Sequence, residues 1–150
     1  MTTPSANVIA AARAAQAKHG IPASVSIAQW ALESGWGKHD LGAFNYFGME
    51  CRVGHDDPFV MMRTRECDSH GKSFFIDAKF RKFSCIEEAF DAHAALLADA
   101  PVYAKARAKL PDPNAFADAL TGVYATDPKY GMLLKSIMHG SSLQQYDLGE

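Results

Sequence analysis

A chain of 150 residues, 48% of them apolar and 21% charged, has the size of one ordinary domain and enough apolar material for one sizeable core. Those proportions exclude a disordered chain and a membrane-embedded one. A formal charge of -2 supplies no basic field for gripping phosphates, so nucleic acid is excluded as a partner and a neutral or mixed-charge ligand is expected.

The start, Met1-Thr2-Thr3-Pro4-Ser5-Ala6-Asn7, lacks the basic end and apolar run of a secretory signal. The protein is therefore expected to work in the cytosol, to reach its target by a route other than a cleaved signal, or to be a mature fragment. Thr3-Pro4 is expected to open a first helix whose apolar stripe is Val8, Ile9, Ala12 and Ala15, stopped at Gly20. Ile21-Pro22 restarts the chain into a second helix running to about Glu33, and Gly35-Trp36-Gly37 ends it.

From Phe44 to Phe83 the helical period fades. Phe59-Val60-Met61-Met62 and Ser73-Phe74-Phe75-Ile76 have strand character and are separated by the turn residues Asp68-Ser69-His70-Gly71. They predict a small β-hairpin lobe over about residues 44–83. Helices return at Ser84, which forms a capping-box pattern with Glu87. Ile86, Phe90, His93 and Leu97 follow the helical period, Asp112-Pro113 opens another helix, and Asp127-Pro128 opens a last one closing near Gly140. The expected architecture is α+β but mainly α: one domain over residues 1–150, with a helical body, an inserted β-lobe and a groove between them fit for an extended polymer.

The residues that carry chemistry centre on Glu33. At about 100° per residue Val25, Ala28 and Leu32 share the core-facing stripe of the second helix, and Glu33 falls at its edge beside Ser26, Gln29 and Trp30. A carboxyl there is partly desolvated, which raises its pKa toward that of a general acid. The plainer reading is a surface glutamate at a helix end.

Four ordered blocks then carry a resemblance. Ala28-Gln29-Trp30-Ala31-Leu32-Glu33-Ser34-Gly35-Trp36-Gly37 resembles the catalytic helix of the bacterial glucosaminidases of glycoside hydrolase family 73. Asn45-Tyr46-Phe47-Gly48, Phe80-Arg81-Lys82-Phe83-Ser84 and Tyr124-Ala125-Thr126-Asp127-Pro128-Lys129-Tyr130 resemble three further blocks of that family, in the same order. The resemblance implies a lysozyme-like helical body and an endo-acting hydrolase of peptidoglycan glycan strands, cutting the β-1,4 bond after N-acetylglucosamine. It implies Glu33 as general acid and, from the match at Thr64-Arg65-Glu66, Glu66 as general base, with Asp56, Asp57 and Asp68 as competing carboxylates. It places Tyr124 beside the acid, with Tyr130, Asn45, Phe47 and Trp36 as further substrate contacts. Val123 departs from the family, which usually has glycine there.

Cys51 and Cys67 are a second departure. They are expected to form a disulfide that stiffens the lobe next to Glu66 and leaves Cys85 as a free thiol; three reduced thiols are the alternative. The spacing of His55, His70, Cys67 and the nearby aspartates matches no ligand pattern, so neither metal nor cofactor is expected.

The expected place of action is the periplasm or cell wall. Delivery as an antibacterial toxin, with a cognate immunity protein as a second partner, or release as a phage lysin would bring the domain there. The competing functions are a muramidase or lytic transglycosylase on a similar body, and a catalytically silent glycan-binding module.

Overall fold

The computed structural model describes residues 2–149. The chain folds as α1 (Ala6–His19), α2 (Ala23–Ser34), β1 (Phe59–Cys67), β2 (Ser73–Arg81), α3 (Ile86–Asp99), α4 (Ala104–Arg107), α5 (Pro113–Ala119) and α6 (Tyr130–Gly140). Short 3-10 turns at Pro101–Tyr103 and Leu143–Tyr146 complete it.

Helix α2 is the axis of the body. Every residue from Ala23 to Ala31 is buried, because α1, α3, α6 and the C-terminal turn all pack around it. A helix buried on all sides needs small or apolar residues on all sides, and ASVSIAQWALES supplies them. The core is one cluster, with Val25 and Ile27 from α2, Phe90 and Leu97 from α3, Phe116 from α5 and Leu134 and Met138 from α6.

Helix ends explain several boundaries. α1 starts at Ala6 because the Ser5 hydroxyl accepts from the Val8 amide. Its stop is Gly20 at φ 79, the left-handed conformation glycine adopts freely. The expected capping box at Ser84 does not form. Cys85 takes the N-cap position of α3 without a side-chain bond, so Ser84 lies one residue too early and its hydroxyl bonds the Glu88 carboxylate at 2.7 Å. Asp112 does cap α5, accepting from the amides of Asn114 and Ala115. Asp127 instead closes a tight turn, accepting from the Lys129 amide at 2.8 Å, which delays α6 to Tyr130.

Strands β1 and β2 form one antiparallel pair from Phe59↔Arg81 to Cys67↔Ser73, longer than the two apolar runs alone suggest. The hairpin is held at its root. Cys51 N–H donates to Lys79 O, Arg81 N–H to Met49 O and Lys82 N–H to Pro58 O. Val60, Met62 and Thr64 are half-buried while Phe59, Met61, Arg63 and Arg65 are exposed, so one face of the ribbon is sheltered. A cavity of about 670 Å³ opens between the hairpin root (Met49, Arg52, Arg81) and α3 (Glu88, Asp91, Ala95).

Candidate active site

Glu33 sits in the last turn of α2, where the motif after it controls the chain's exit. Gly35 ends the helix at φ 59, its amide donating back to Ala31 O. The Ser34 hydroxyl donates to Trp30 O and accepts from the Gly37 amide at 2.8 Å, which folds the exit loop back on the helix. A side chain at Gly37 would put its Cβ 2.9 Å from Trp30 Cζ2, so the backbone passes the indole only as glycine. Trp36, itself at φ 59, stands edge-on to Trp30 with ring centres 5.8 Å apart. The Glu-Ser-Gly-Trp-Gly run is thus a device for stopping a buried helix immediately after its acid.

The Glu33 carboxyl has one specific partner. Tyr130, at the start of α6, donates its hydroxyl to Glu33 Oε1 at 3.0 Å. Desolvation raises the Glu33 pKa above the ordinary 4.5, and the Tyr130 hydrogen bond partly offsets the rise by favouring the carboxylate. The residue is still solvent-exposed overall, so its carboxyl faces buried groups on one side and open solvent on the other. That is the placement of a group that meets a ligand from outside.

Behind Glu33 lies an aromatic wall. Tyr124 stacks on Tyr130 at 5.8 Å and 15°, and Tyr103 lies 6.2 Å from Tyr124. Burial raises the pKa of Tyr103, Tyr124 and Tyr130 alike, so all three stay neutral across the working range.

Glu66 stands near the free end of β1, opposite Phe74, and accepts from the Thr64 hydroxyl at 3.2 Å. By register it shares the ribbon face of Val60, Met62 and Thr64. The competing aspartates are otherwise placed. Asp57 is gripped by Arg52 at 2.6 Å, with Arg81 3.7 Å away, and the Arg52 hydrogen bonds hold its carboxyl far below the usual range. Asp68 accepts from the amides of His70 and Lys72 and shapes the hairpin turn. Asp56 is exposed.

Residues 9–143 match the profile of a family described as glucosaminidase, mannosyl-glycoprotein endo-beta-N-acetylglucosaminidase. The chain belongs to the glucosaminidase family. It is 34% identical over 150 residues to a probable N-acetylmuramidase of Lactococcus lactis, covering 94% of this chain and 34% of that protein. It is 36% identical to the exo-glucosaminidase LytG of Bacillus subtilis, covering 87% of this chain and 48% of that protein. The chain thus spans a third to a half of these relatives' length.

Among solved structures, the catalytic domain of the autolysin Auto from Listeria monocytogenes superposes with a TM-score of 0.82 at 28% identity, covering 98% of this chain and 91% of that one. A glycoside hydrolase domain of Salmonella typhimurium FlgJ superposes at 0.72 with 33% identity, covering 90% and 93%. The domain has a lysozyme-like, mainly helical body, as its four motifs implied, and shares its fold with these glycoside hydrolase domains.

Within this glucosaminidase fold the remaining expected contacts are unevenly placed. Trp36 is half-buried beside the acid's loop. Asn45 is 1% exposed, and its side chain is spent on the backbone: Nδ2 donates to Met49 O and Arg81 O, and Oδ1 accepts from the Met49 amide. It ties the loop after α2 to the root of the hairpin. Phe47, 5% exposed, stacks on His93 with ring centres 4.0 Å apart. Neither presents a free surface to a sugar in this conformation.

The Cys51–Cys67 disulfide is absent, and Cys51, Cys67 and Cys85 are free thiols. Cys51 pairs its amide with Lys79, whereas Cys67 lies opposite Ser73, six residues away along β2. At ~3.3 Å per residue that is roughly 20 Å, far beyond the ~7 Å that a bridge can span between Cα atoms. Among the described residues no group of three His, Cys, Asp or Glu side chains lies close enough to hold a metal ion.

Sequence reasoning missed Tyr103 and gave Gln29, which it placed beside Glu33, and His93 no role. Tyr103 had no motif to mark it, and Gln29 and His93 look like ordinary positions on helical stripes.

Proposed function

We propose that this domain hydrolyses the β-1,4 bond after N-acetylglucosamine in peptidoglycan, with Glu33 as general acid and Glu66 as the second carboxylate. The observation that carries this reading is the Glu33 carboxyl, raised by desolvation and held at one oxygen by Tyr130 while its residue stays open to solvent. A carboxyl whose protonated form is favoured by burial can give its proton to the glycosidic oxygen as the C1–O bond breaks and its electron pair leaves with that oxygen. Water then adds its hydroxyl to C1 and gives up its other proton to the second carboxylate. Glu66 stands on a separate element from Glu33, so the tilt of the hairpin sets their separation. About 5–5.5 Å suits a covalent route and about 6.5–9.5 Å leaves room for water.

The relatives' names span both bonds of the alternating glycan, one probable N-acetylmuramidase and one exo-glucosaminidase. The assay must therefore read the new end. Purified peptidoglycan digested by the wild-type domain, followed by mass spectrometry, is expected to give N-acetylglucosamine reducing ends, and Glu33→Gln is expected to give no fragments. Muramic acid ends would overturn the bond assignment, and anhydro ends would identify a transglycosylase. Binding to wall without any fragments would identify a silent module.

The substrate places the action outside the cytoplasm. Delivery into a rival cell as a toxin calls for a cognate inhibitor in the producer. A signal-bearing neighbouring gene whose product blocks wall digestion would establish that route.

A further inference from the structure

His93 is the most buried titratable group in the body, and the chemistry above makes no use of it. It lies on the core face of α3, fully enclosed, and burial pushes its pKa down to about 3. Its Nε2 is 2.9 Å from Gln29 Oε1, and its Nδ1 has no partner. The Gln29 Nε2 amide donates to the Tyr130 hydroxyl oxygen at 2.9 Å, and Tyr130 donates to Glu33 Oε1 at 3.0 Å.

With the Gln29 amide oriented in this way, the contacts admit one consistent set of donors. Gln29 Oε1 can only accept, so the neutral imidazole must carry its proton on Nε2. With Oε1 so engaged, Gln29 must turn its NH₂ toward Tyr130. That bond occupies the Tyr130 oxygen as an acceptor and leaves its hydroxyl hydrogen free to point at Glu33. Phe47 stacks on the imidazole and Tyr124 meets its edge at 5.9 Å, which fixes the plane of the ring at the head of the chain.

We infer that His93 and Gln29 are positioning residues for the general acid, a buried relay that sets the direction of the Tyr130 hydrogen bond and so reserves Glu33 Oε2 as the oxygen that carries and donates the proton. This rests on the reading of Glu33 as the acid. In the carboxylate left after proton transfer, the same Tyr130 bond stabilises the charge. Were the relay reversed, Tyr130 would donate to Gln29 and turn its lone pairs toward Glu33, opposing ionisation of the acid after transfer.

The groups around the Glu33–Tyr130 bond allow a pH profile to be read. Tyr130 bonds the carboxyl, Tyr124 stacks on Tyr130, Tyr103 lies beyond Tyr124 and Gln29 holds the Tyr130 hydroxyl from behind. All are neutral in the working range, so the alkaline limb of kcat against pH reports Glu33.

His93→Phe keeps a ring on Phe47 but removes the donor. It is expected to lower kcat roughly fivefold to tenfold at unchanged KM, the scale of one misdirected hydrogen bond. The alkaline limb should move up by about one pH unit as the carboxylate loses its donor. Gln29→Met should do the same, and the double variant should be no worse than either single one, because the residues act as one unit. His93→Gln can again donate to Gln29 Oε1 and should recover both kcat and the limb.

A purely structural role predicts a lower melting temperature with the limb unmoved, and that result would overturn the inference. Should the variants fail to fold, the nitrogen spectrum of ¹⁵N-histidine-labelled wild type decides: a neutral Nε2–H tautomer from pH 5 to 8 is expected, and an Nδ1–H tautomer or a titrating ring refutes the relay. Wild-type-like hydrolysis by Glu33→Gln would instead sink the underlying reading of the acid, whatever His93 does.

Discussion

An acid whose pKa is raised by folding opposes folding whenever it is ionised. The Glu33 pKa lies above 4.5 because burial disfavours its charge. Its contribution to stability is therefore complete below about pH 4.5 and is lost as pH rises through the folded value. Glu33→Gln removes that penalty, so it should melt higher than wild type at pH 8 and show little of that advantage at pH 4. Thermal melts at the two pH values check this, and a difference that does not grow with pH would show that the carboxyl is not desolvated.

Tyr130 offers a second test at the same scale. Tyr130→Phe deletes the only specific bond made to Glu33 among the described residues and leaves the Gln29 amide unpaired. A loss of roughly tenfold or more in kcat is expected, since the deleted donor acts on the charge formed in the reaction. The sequence motif drew attention to Tyr124, but the hydroxyl on the acid comes from Tyr130. The five residues between the two tyrosines decide which ring reaches Glu33, and the motif that spans them does not say which.

The hairpin is the element in which pattern and register meet. Phe74 and Ile76 share the ribbon face of Thr64 and Glu66, are 42% and 43% exposed, and lie beyond the half-buried part near the root. Phe75 lies on the other face under the Arg63 guanidinium, 4.8 Å from ring centre to cation. If the Glu66 face meets the glycan, Ile76→Asp should raise KM for polymeric wall several-fold while Phe75→Ser leaves it unchanged, each with little effect on melting because both side chains are exposed. Equal effects from the two faces in steady-state assays would reject that orientation.

The two apolar runs revealed that strands exist here but understated their length. Arg63, Arg65, Asp77 and Lys79 on the exposed face interrupt the apolar signal without interrupting the backbone ladder. The misjudged disulfide has a related cause. Cys51 and Cys67 are sixteen positions apart, a plausible loop, yet an extended strand turns sequence separation into distance where a compact loop would not. By contrast, Gly20, Pro22, Asp112 and Gly35 act within one turn of themselves, so the ends they mark were legible from local chemistry alone.

The whole molecule closes by bringing its last turn back to its central helix. Pro22 at the N-cap of α2 has no side chain that can accept a hydrogen bond, so the first amides of a buried helix need partners from elsewhere. Gln16 Oε1 takes the Ala23 amide at 3.1 Å, and Asp147 takes the Ser24 amide at 2.7 Å and the Ser24 hydroxyl at 2.8 Å. Leu143 is fully buried on the way, and the Leu148 amide returns to the same Gln16 oxygen at 3.0 Å. An acidic side chain at a helix N-terminus also meets the positive end of its dipole. Asp147→Ala removes this borrowed cap at a cost of about 1–2 kcal/mol, the range for loss of an N-cap, which for a domain of this size lowers Tm by roughly 3–6 °C. Because the cap lies at the opposite end of α2 from Glu33, kcat and KM measured well below the melting temperature should remain those of the wild type. A fall in kcat at full folding would show that strain at the start of α2 reaches the acid through the helix.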